Sequence, residues 1–313
     1  MKSIHLFYGI TLSLLMLSTS CKQKTAQAEI AYAKMEIPTP TLTEETVETR
    51  DLSPEFKAYW YAGEAEITSY KLEQARYGEM RPGTVALIFV TEDFLPKVQV
   101  KADRANADNI PVLKLNRTKK FNTGIYPYSV MTSTFHPVQT KDHAIKISQS
   151  MQEWCGHQYA QINNRKNFEV TSHSYFEGEA DTTFEIEKAT LENELWALLR
   201  INPDELPTGN IQVIPDLEFV RMRHVPLKAY PAIGTKTATS YTLEYPDLKR
   251  KLIINFSESF PYTIEGWEET SVSGFGPRAK PLITKATRMK SIQSAYWGKN
   301  SNADNHLRTE LGL

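Results

Sequence analysis

Along most of the chain, apolar and polar positions alternate with period two. In Tyr61–Thr68 the odd positions are mostly apolar or small and the even ones mostly polar, and Val98-Gln99-Val100-Lys101 alternates in the same way. Residues 145–157 put Ile145, Ile147, Met151 and Cys155 on one face, and Phe176, Gly178, Ala180, Phe184 and Ile186 share a face of the next segment. Both read as half-buried strands. Residues 84–91 are a short apolar, β-branched run suited to a buried central strand. Further strands are expected over 217–223, 239–245, 251–256 and 262–267. Turns are expected at Pro82-Gly83, Asn122-Thr123-Gly124, Asn163-Asn164, Pro207-Thr208-Gly209 and Pro246-Asp247.

One stretch departs from that period. Leu191, Leu195, Leu198 and Leu199 recur with helical spacing. Thr190 can cap the start, Glu192 and Glu194 suit the positive first turn, Arg200 suits the last, and Pro203 ends the segment. The pattern predicts an amphipathic helix near 190–201. It divides a β-rich domain, residues 56–299, into halves of about 56–187 and 208–299, followed by a tail over 300–313. Many antiparallel strands, one main helix and few βαβ signals predict a mainly β fold. The expected form is a large twisted antiparallel sheet or partly open barrel with the helix packed on it, similar in shape to lipoprotein carriers and lipocalins. Tyr61-Ala62-Gly63-Glu64-Ala65 and Phe176-Glu177-Gly178-Glu179-Ala180 match in pattern, which two similarly alternating strands explain without a duplication.

The N-terminus carries a different signal. Met1-Lys2 is followed by an apolar run over 4–17 and then by Ser18-Thr19-Ser20-Cys21. A cationic start, a short apolar run and small residues predict an export signal over 1–20 rather than a spanning helix, which needs roughly 20 apolar residues. Ser18-Thr19-Ser20-Cys21 resembles a bacterial lipobox, with Ser18 where an aliphatic residue is usual. Cys21 is therefore the expected lipidation site, and acyl chains there would anchor the protein without a transmembrane helix. Residues 21–55, rich in Thr, Glu, Lys and Ala with Pro38 and Pro40, read as a flexible tether. Lys22-Gln23-Lys24 lacks the acidic residues that accompany surface export. The expected location is the cell envelope, on the outer membrane facing the periplasm.

Composition narrows the chemistry. The formal net charge is −1, from 36 Lys and Arg against 37 Asp and Glu, so no basic excess points to nucleic acid. The chain has two cysteines. With Cys21 acylated, Cys155 is the remaining thiol, which excludes an intramolecular disulfide and a multi-thiolate metal site. No cofactor and no metal is expected. The expected partners are the membrane, through the anchor, and a lipid, other hydrophobic ligand or envelope protein.

Several constellations carry candidate chemistry. Trp154-Cys155-Gly156-His157 resembles the start of a thioredoxin-type motif, but Gln158 stands where the second cysteine belongs, so dithiol chemistry is excluded. Cys155 and His157, at i and i+2 on one strand face, would suit a single-cysteine nucleophile with its base. A cysteine packed as a small apolar residue is the plainer alternative. Glu64 and Glu66 project from one face, and Glu177, Glu179 and Asp181 from another. Together they would suit glycoside hydrolysis or Ca²⁺, and separately the solvated face of a sheet. Arg221, Arg223 and His224 follow a strand over 217–220. They would grip an anionic head group or pair with those carboxylates. Trp60, Tyr70, Tyr77, Tyr126, Tyr128, Trp154, Tyr175 and Trp267 would line a concave ligand pocket or fill an ordinary β core. No Gly-x-Ser-x-Gly elbow, His-Glu-x-x-His, phosphate loop or dinucleotide fingerprint occurs.

Gly63-Glu64-Ala65, Arg76-Tyr77-Gly78-Glu79, Phe121–Tyr128, Gln152–His157 and Leu199–Pro203 together resemble an uncharacterised lipoprotein family of Bacteroidota, over about residues 56–297. Some of its members carry the label septum formation inhibitor Maf. The Maf nucleotide pyrophosphatases are cytoplasmic and have an N-terminal Ser-x-Arg-Arg-type motif that this chain lacks. The resemblance implies an envelope lipoprotein and brings no catalytic residues. The leading expectation is a non-catalytic lipoprotein with a ligand or partner on a concave β face. A hydrolase using Cys155–His157 or the clustered carboxylates, and a scaffolding lipoprotein, are the alternatives.

Overall fold

The alternating segments become sixteen strands of one sheet. The structure, a computed structural model, describes residues 48–313. The expected export signal, Cys21 and most of the expected tether lie outside the described residues. In chain order the strands are β1 (Ala65–Arg76), β2 (Glu79–Leu95), β3 (Val100–Lys101), β4 (Ile110–Thr123), β5 (Tyr126–Pro137), β6 (Lys146–Glu153), β7 (Gly156–Asn164), β8 (Phe168–Ser174), β9 (Thr182–Ile186), β10 (Thr190–Leu191), β11 (Gly209–Ile214), β12 (Tyr230–Lys236), β13 (Ser240–Tyr245), β14 (Arg250–Phe256), β15 (Ile264–Ser273) and β16 (Lys280–Ser294). The α-helices are α1 (Pro54–Trp60), α2 (Glu192–Ile201), α3 (Leu217–Arg223) and α4 (His306–Leu311).

The sheet runs β10-β11-β12-β13-β14-β15-β16-β1-β2-β4-β5-β6-β7-β8-β9, with β3 folded back on β2. Its neighbours are antiparallel apart from the short parallel pair β10–β11. The two expected halves are therefore not separate bodies. They join where β16 pairs with β1. The free edges, β9 and β10, do not pair, so the sheet stays open. No helix among the described residues is long and apolar enough to cross a membrane.

The sheet curls around α2, whose ten residues are all buried. This corrects the expectation of a helix with one exposed polar face. Each polar residue of α2 has a buried partner. Arg200 forms a two-pronged pair with Glu66 of β1, at 2.7 and 2.6 Å, and Glu192 pairs with Arg250 of β14. Asn193 donates to Asp216 at 2.8 Å, and Glu194 accepts from the Ala144 N–H at 2.6 Å. The helix starts at Glu192 rather than Thr190, because Thr190 and Leu191 form β10 against Val213 and Ile214. Glu194 caps the start by accepting the Leu191 N–H at 3.0 Å.

Four features differ from expectation. Ser53 caps α1 by accepting the Phe56 N–H, and α1 buries Phe56 and Trp60. The first strand therefore begins at Ala65 rather than Tyr61. Before α1, the Glu48 carbonyl accepts the Lys141 N–H, Thr49 bridges to Thr140 and Arg50 pairs with Glu205 at 2.7 Å, so this segment is already tied to the domain. Pro82-Gly83 is mid-strand in β2, because Gly83 lets β4 approach: a Cβ there would stand 2.3 Å from the Lys120 carbonyl. At the C-terminus, α4 buries Leu311 against β1, where Ser69 Oγ donates to the Leu311 carbonyl, so 300–313 is part of the fold.

Candidate functional site

Strand register builds the floor of a cavity. Arg117, Thr132, Gln149, Ala160, Ser172 and Thr182 are direct neighbours across β4 to β9. From Thr132 onward this row is short or polar. The next row, Leu115, Thr134, Ile147, Ile162, Val170 and Phe184, is mostly apolar. Ile147, Ile162 and Val170 pack with Leu191, Ile214 and Leu217 to close one side. Small residues between tall ones leave a hollow of about 590 Å³ under α3 and the loop after β8. That volume suits a small-molecule ligand, for which pockets of roughly 300–1,000 Å³ are usual. Ala160, Phe184, Val220 and Leu227 give it apolar walls, with Gln149 and Gln158 among them. Gln149 is only 3% exposed, and Gln158 Oε1 is buried without a partner.

α3 roofs the hollow. Residues 217–223 were expected as a strand and form a helix instead. Seven residues fit either period, and the deciding features are local. Asp216 accepts the Glu218 N–H at 2.8 Å as an N-cap, and His224 ends the helix in the left-handed region at φ 52°. Arg221 and Arg223 therefore diverge rather than sharing a face. Arg221 turns to the cavity and Arg223 to a second, polar cleft.

The other roof element is the loop 175–181, also expected as a strand. Here the chain leaves the sheet after Ser174, and Ala180 takes a positive φ of 47° just before β9 resumes it. Glu179 fastens this loop to α3. Its Oε1 lies 2.6 Å from His224 Nδ1 and 3.1 Å from Arg221 Nη1, and its Oε2 accepts from Gln158 and Ser174, both at 2.8 Å. Arg221 also lies over the Phe176 ring at 4.3 Å. Burial opposes the charge on Glu179. The hydrogen bonds from Ser174 and His224 and the Arg221 charge outweigh it, holding the carboxyl below the ordinary carboxylate range.

The residues expected to do hydrolysis do not converge. Trp154 and Cys155 form the tight turn between β6 and β7 rather than a strand, because Glu153 accepts the Cys155 N–H at 2.8 Å. Cys155 is exposed, and the Glu153 hydrogen bond and charge push its thiol above the ordinary value. His157 is exposed on β7 opposite Gln152. Glu64 is exposed before β1, whereas Glu66 is buried and held by Arg200 and Tyr59. Glu179 belongs to the separate latch on α3. Among the described residues, no cluster of three or more His, Cys, Asp or Glu is placed to hold a metal.

The aromatic residues divide. Trp60, Tyr70, Tyr128 and Trp267 are core, and Tyr126 packs against that core. Trp154 and Tyr175 are exposed on turns. The polar cleft, about 50 Å³, lies beside three buried cations: Arg117 pairs with Asp216, Lys119 with Glu218 and Arg250 with Glu192. Sequence reading missed Gln149, Gln158, Ala160 and Val220. The legible trace was polar or small residues at strand positions whose alternation points inward.

No family model matches the chain, and no curated protein matches it. Among solved structures it is similar to the crystal structure of a β-barrel-like protein of the domain of unknown function DUF1849 from Brucella abortus. The TM-score is 0.43 and the identity 8%, with 73% of this chain and 97% of that one covered.

Proposed function

We propose that this is a non-catalytic, lipid-anchored envelope protein that binds a small amphipathic molecule in the cavity under α3. The observation that carries the reading is the hollow of about 590 Å³, apolar along Ala160, Phe184, Val220 and Leu227 and polar at Gln149 and Gln158. An apolar cavity with a few converging polar groups orients a ligand by its polar end while burying its body. The ligand's apolar body lies against the walls formed by Phe184, Val220 and Leu227, its polar end meets the two glutamines, and the 175–181 loop closes over it. Cys21 supplies the anchor, and residues before Glu48 span from it to the domain.

Native mass spectrometry of the purified protein, with lipid and metabolite extraction, tests this. The expected result is a co-purifying amphiphile of one mass class, absent from an Ala160→Trp variant whose thermal midpoint is within a few degrees of wild type. A wild-type protein that carries nothing and does not bind a fluorescent fatty acid in titration overturns it.

A further inference from the structure

Strand direction gathers six hairpin tips at one edge of the sheet, the polar 246–249 turn after β13 among them. β1, β4, β6, β8, β13 and β15 all run the same way, because each is separated from the next by one antiparallel neighbour. Their tips are the 246–249 turn, the 274–279 loop, the Tyr77-Gly78 turn, the Gly124-Ile125 turn, the Trp154-Cys155 turn and the 175–181 loop, in that order along the sheet. Successive tips are about 10 Å apart, twice the spacing of neighbouring strands.

The four most exposed large apolar side chains among the described residues all sit on these tips. They are Ile125 at 81%, Trp154 at 67%, Tyr175 at 65% and Phe275 at 63%. The next, Val98, is at the other edge. Two of the four are packed on neighbouring turns. Phe275 packs on Tyr77, and Tyr175 lies across Gly156, where a Cβ would stand 2.6 Å from its ring. The fold thus presents all four side chains to solvent on turns.

Behind the tips sit two arginines that pair with no carboxylate among the described residues. Arg76 donates to the Met222 carbonyl and to the phenols of Tyr77 and Tyr128, and its Nε is buried without a partner. Arg223 lies beside it at the mouth of the polar cleft, with Tyr77 and Phe275. Burial and the neighbouring Arg76 charge both work against the charge on Arg223, and Glu269 only partly offsets them. Two like charges held together without a close counter-ion leave room for an oxyanion.

We infer that this edge is a docking surface for a phospholipid bilayer, with Ile125, Trp154, Tyr175 and Phe275 entering the headgroup region and Arg76 and Arg223 meeting lipid phosphates. The spacing argues for a bilayer. Single apolar side chains about 10 Å apart do not make the continuous patch that a protein partner packs against, but a fluid interface accepts each one separately. Trp and Tyr, with apolar rings and polar tips, suit that depth, and guanidinium forks suit phosphate. The surface is independent of what the cavity holds.

The test uses the full-length chain carrying Cys21→Ser, which leaves Cys155 as the single thiol, labelled with an environment-sensitive fluorophore. It is mixed with phosphatidylcholine vesicles, with and without phosphatidylglycerol. The expected result is a blue-shifted emission that a lipid-borne quencher suppresses. Partitioning should weaken at least tenfold in the variant with Ile125→Ser, Trp154→Ser, Tyr175→Ser and Phe275→Ser, at unchanged circular dichroism. The double variant Ile125→Ser, Trp154→Ser gives an intermediate loss and guards against misfolding of the larger one. Arg223→Gln should reduce binding several-fold on phosphatidylglycerol vesicles. A wild-type label that stays in water, even on vesicles that capture the chain by its N-terminal segment, overturns the inference. So does a tip variant that keeps the shift.

Discussion

Arg200 and Glu66 are 134 residues apart in the chain and meet in a two-pronged ion pair. Tyr59 and the Pro261 carbonyl satisfy the remaining groups. Removing one member of a buried pair strands the other charge, at a cost of about 3–5 kcal/mol. Glu66→Gln should therefore lower the thermal midpoint by many degrees, while replacing both residues by Leu and Met should cost less than either single change suggests. His136 is a second residue-scale case. It is buried, both ring nitrogens lack partners, and burial pushes its pKa down to about 3, with Glu194 partly opposing and Arg50 and His143 reinforcing the shift. The unfolded chain therefore binds a proton that the fold refuses, and stability falls as pH drops below the ordinary histidine value of 6.5 toward 3. His143, raised overall by its hydrogen bond to Glu194 against the effect of burial, has the opposite slope. Urea unfolding across pH should thus give a flatter acid limb in His136→Leu. Sequence reading counted Glu66 as a carboxylate available for chemistry, because a partner that remote leaves no local trace.

At the level of elements, alternation marked β2, β13 and β14 and parts of β1, β6, β7, β9 and β15, left β4, β5, β8, β11, β12 and β16 unassigned, and failed where the chain leaves the sheet. Residues 175–181 keep an alternating pattern after the backbone has left the sheet at the end of β8, Ser174. Residues 217–223 are short enough to satisfy two periods, and the Asp216 cap was the available clue. These two misread segments form the roof of the cavity, so the candidate site was much less legible than the sheet. Glu179 couples them, and its depressed carboxyl fixes the sign of the pH response. The latch is complete above the ordinary carboxylate value of 4.5 and is lost as pH falls through the lower value it has in the fold. Limited proteolysis within 175–181 should accelerate on acidification. Glu179→Gln should show that faster cleavage already at neutral pH, with its remaining pH dependence reduced.

For the whole molecule, the mainly β fold and the single sheet follow from the dominant period, and the strand order does not. Nothing local announces that Ala65 will face Ser294. A chain truncated after Gly274 loses β16 and leaves β15 and β1 each with one unpaired side in mid-sheet. It should be recovered insoluble or rapidly digested, read by soluble yield and protease resistance against the full chain.

The β16–β1 seam also sets a timetable. β1 is among the first strands to emerge during synthesis, and its second partner is the last. Until β16 arrives, one side of β1 is an unpaired edge, the kind that templates pairing between chains. Pairings this distant in sequence form slowly. Growing chains of this protein are thus aggregation-prone until β16 emerges, and a holding chaperone that covers the Ala65–Arg76 segment would protect them until then.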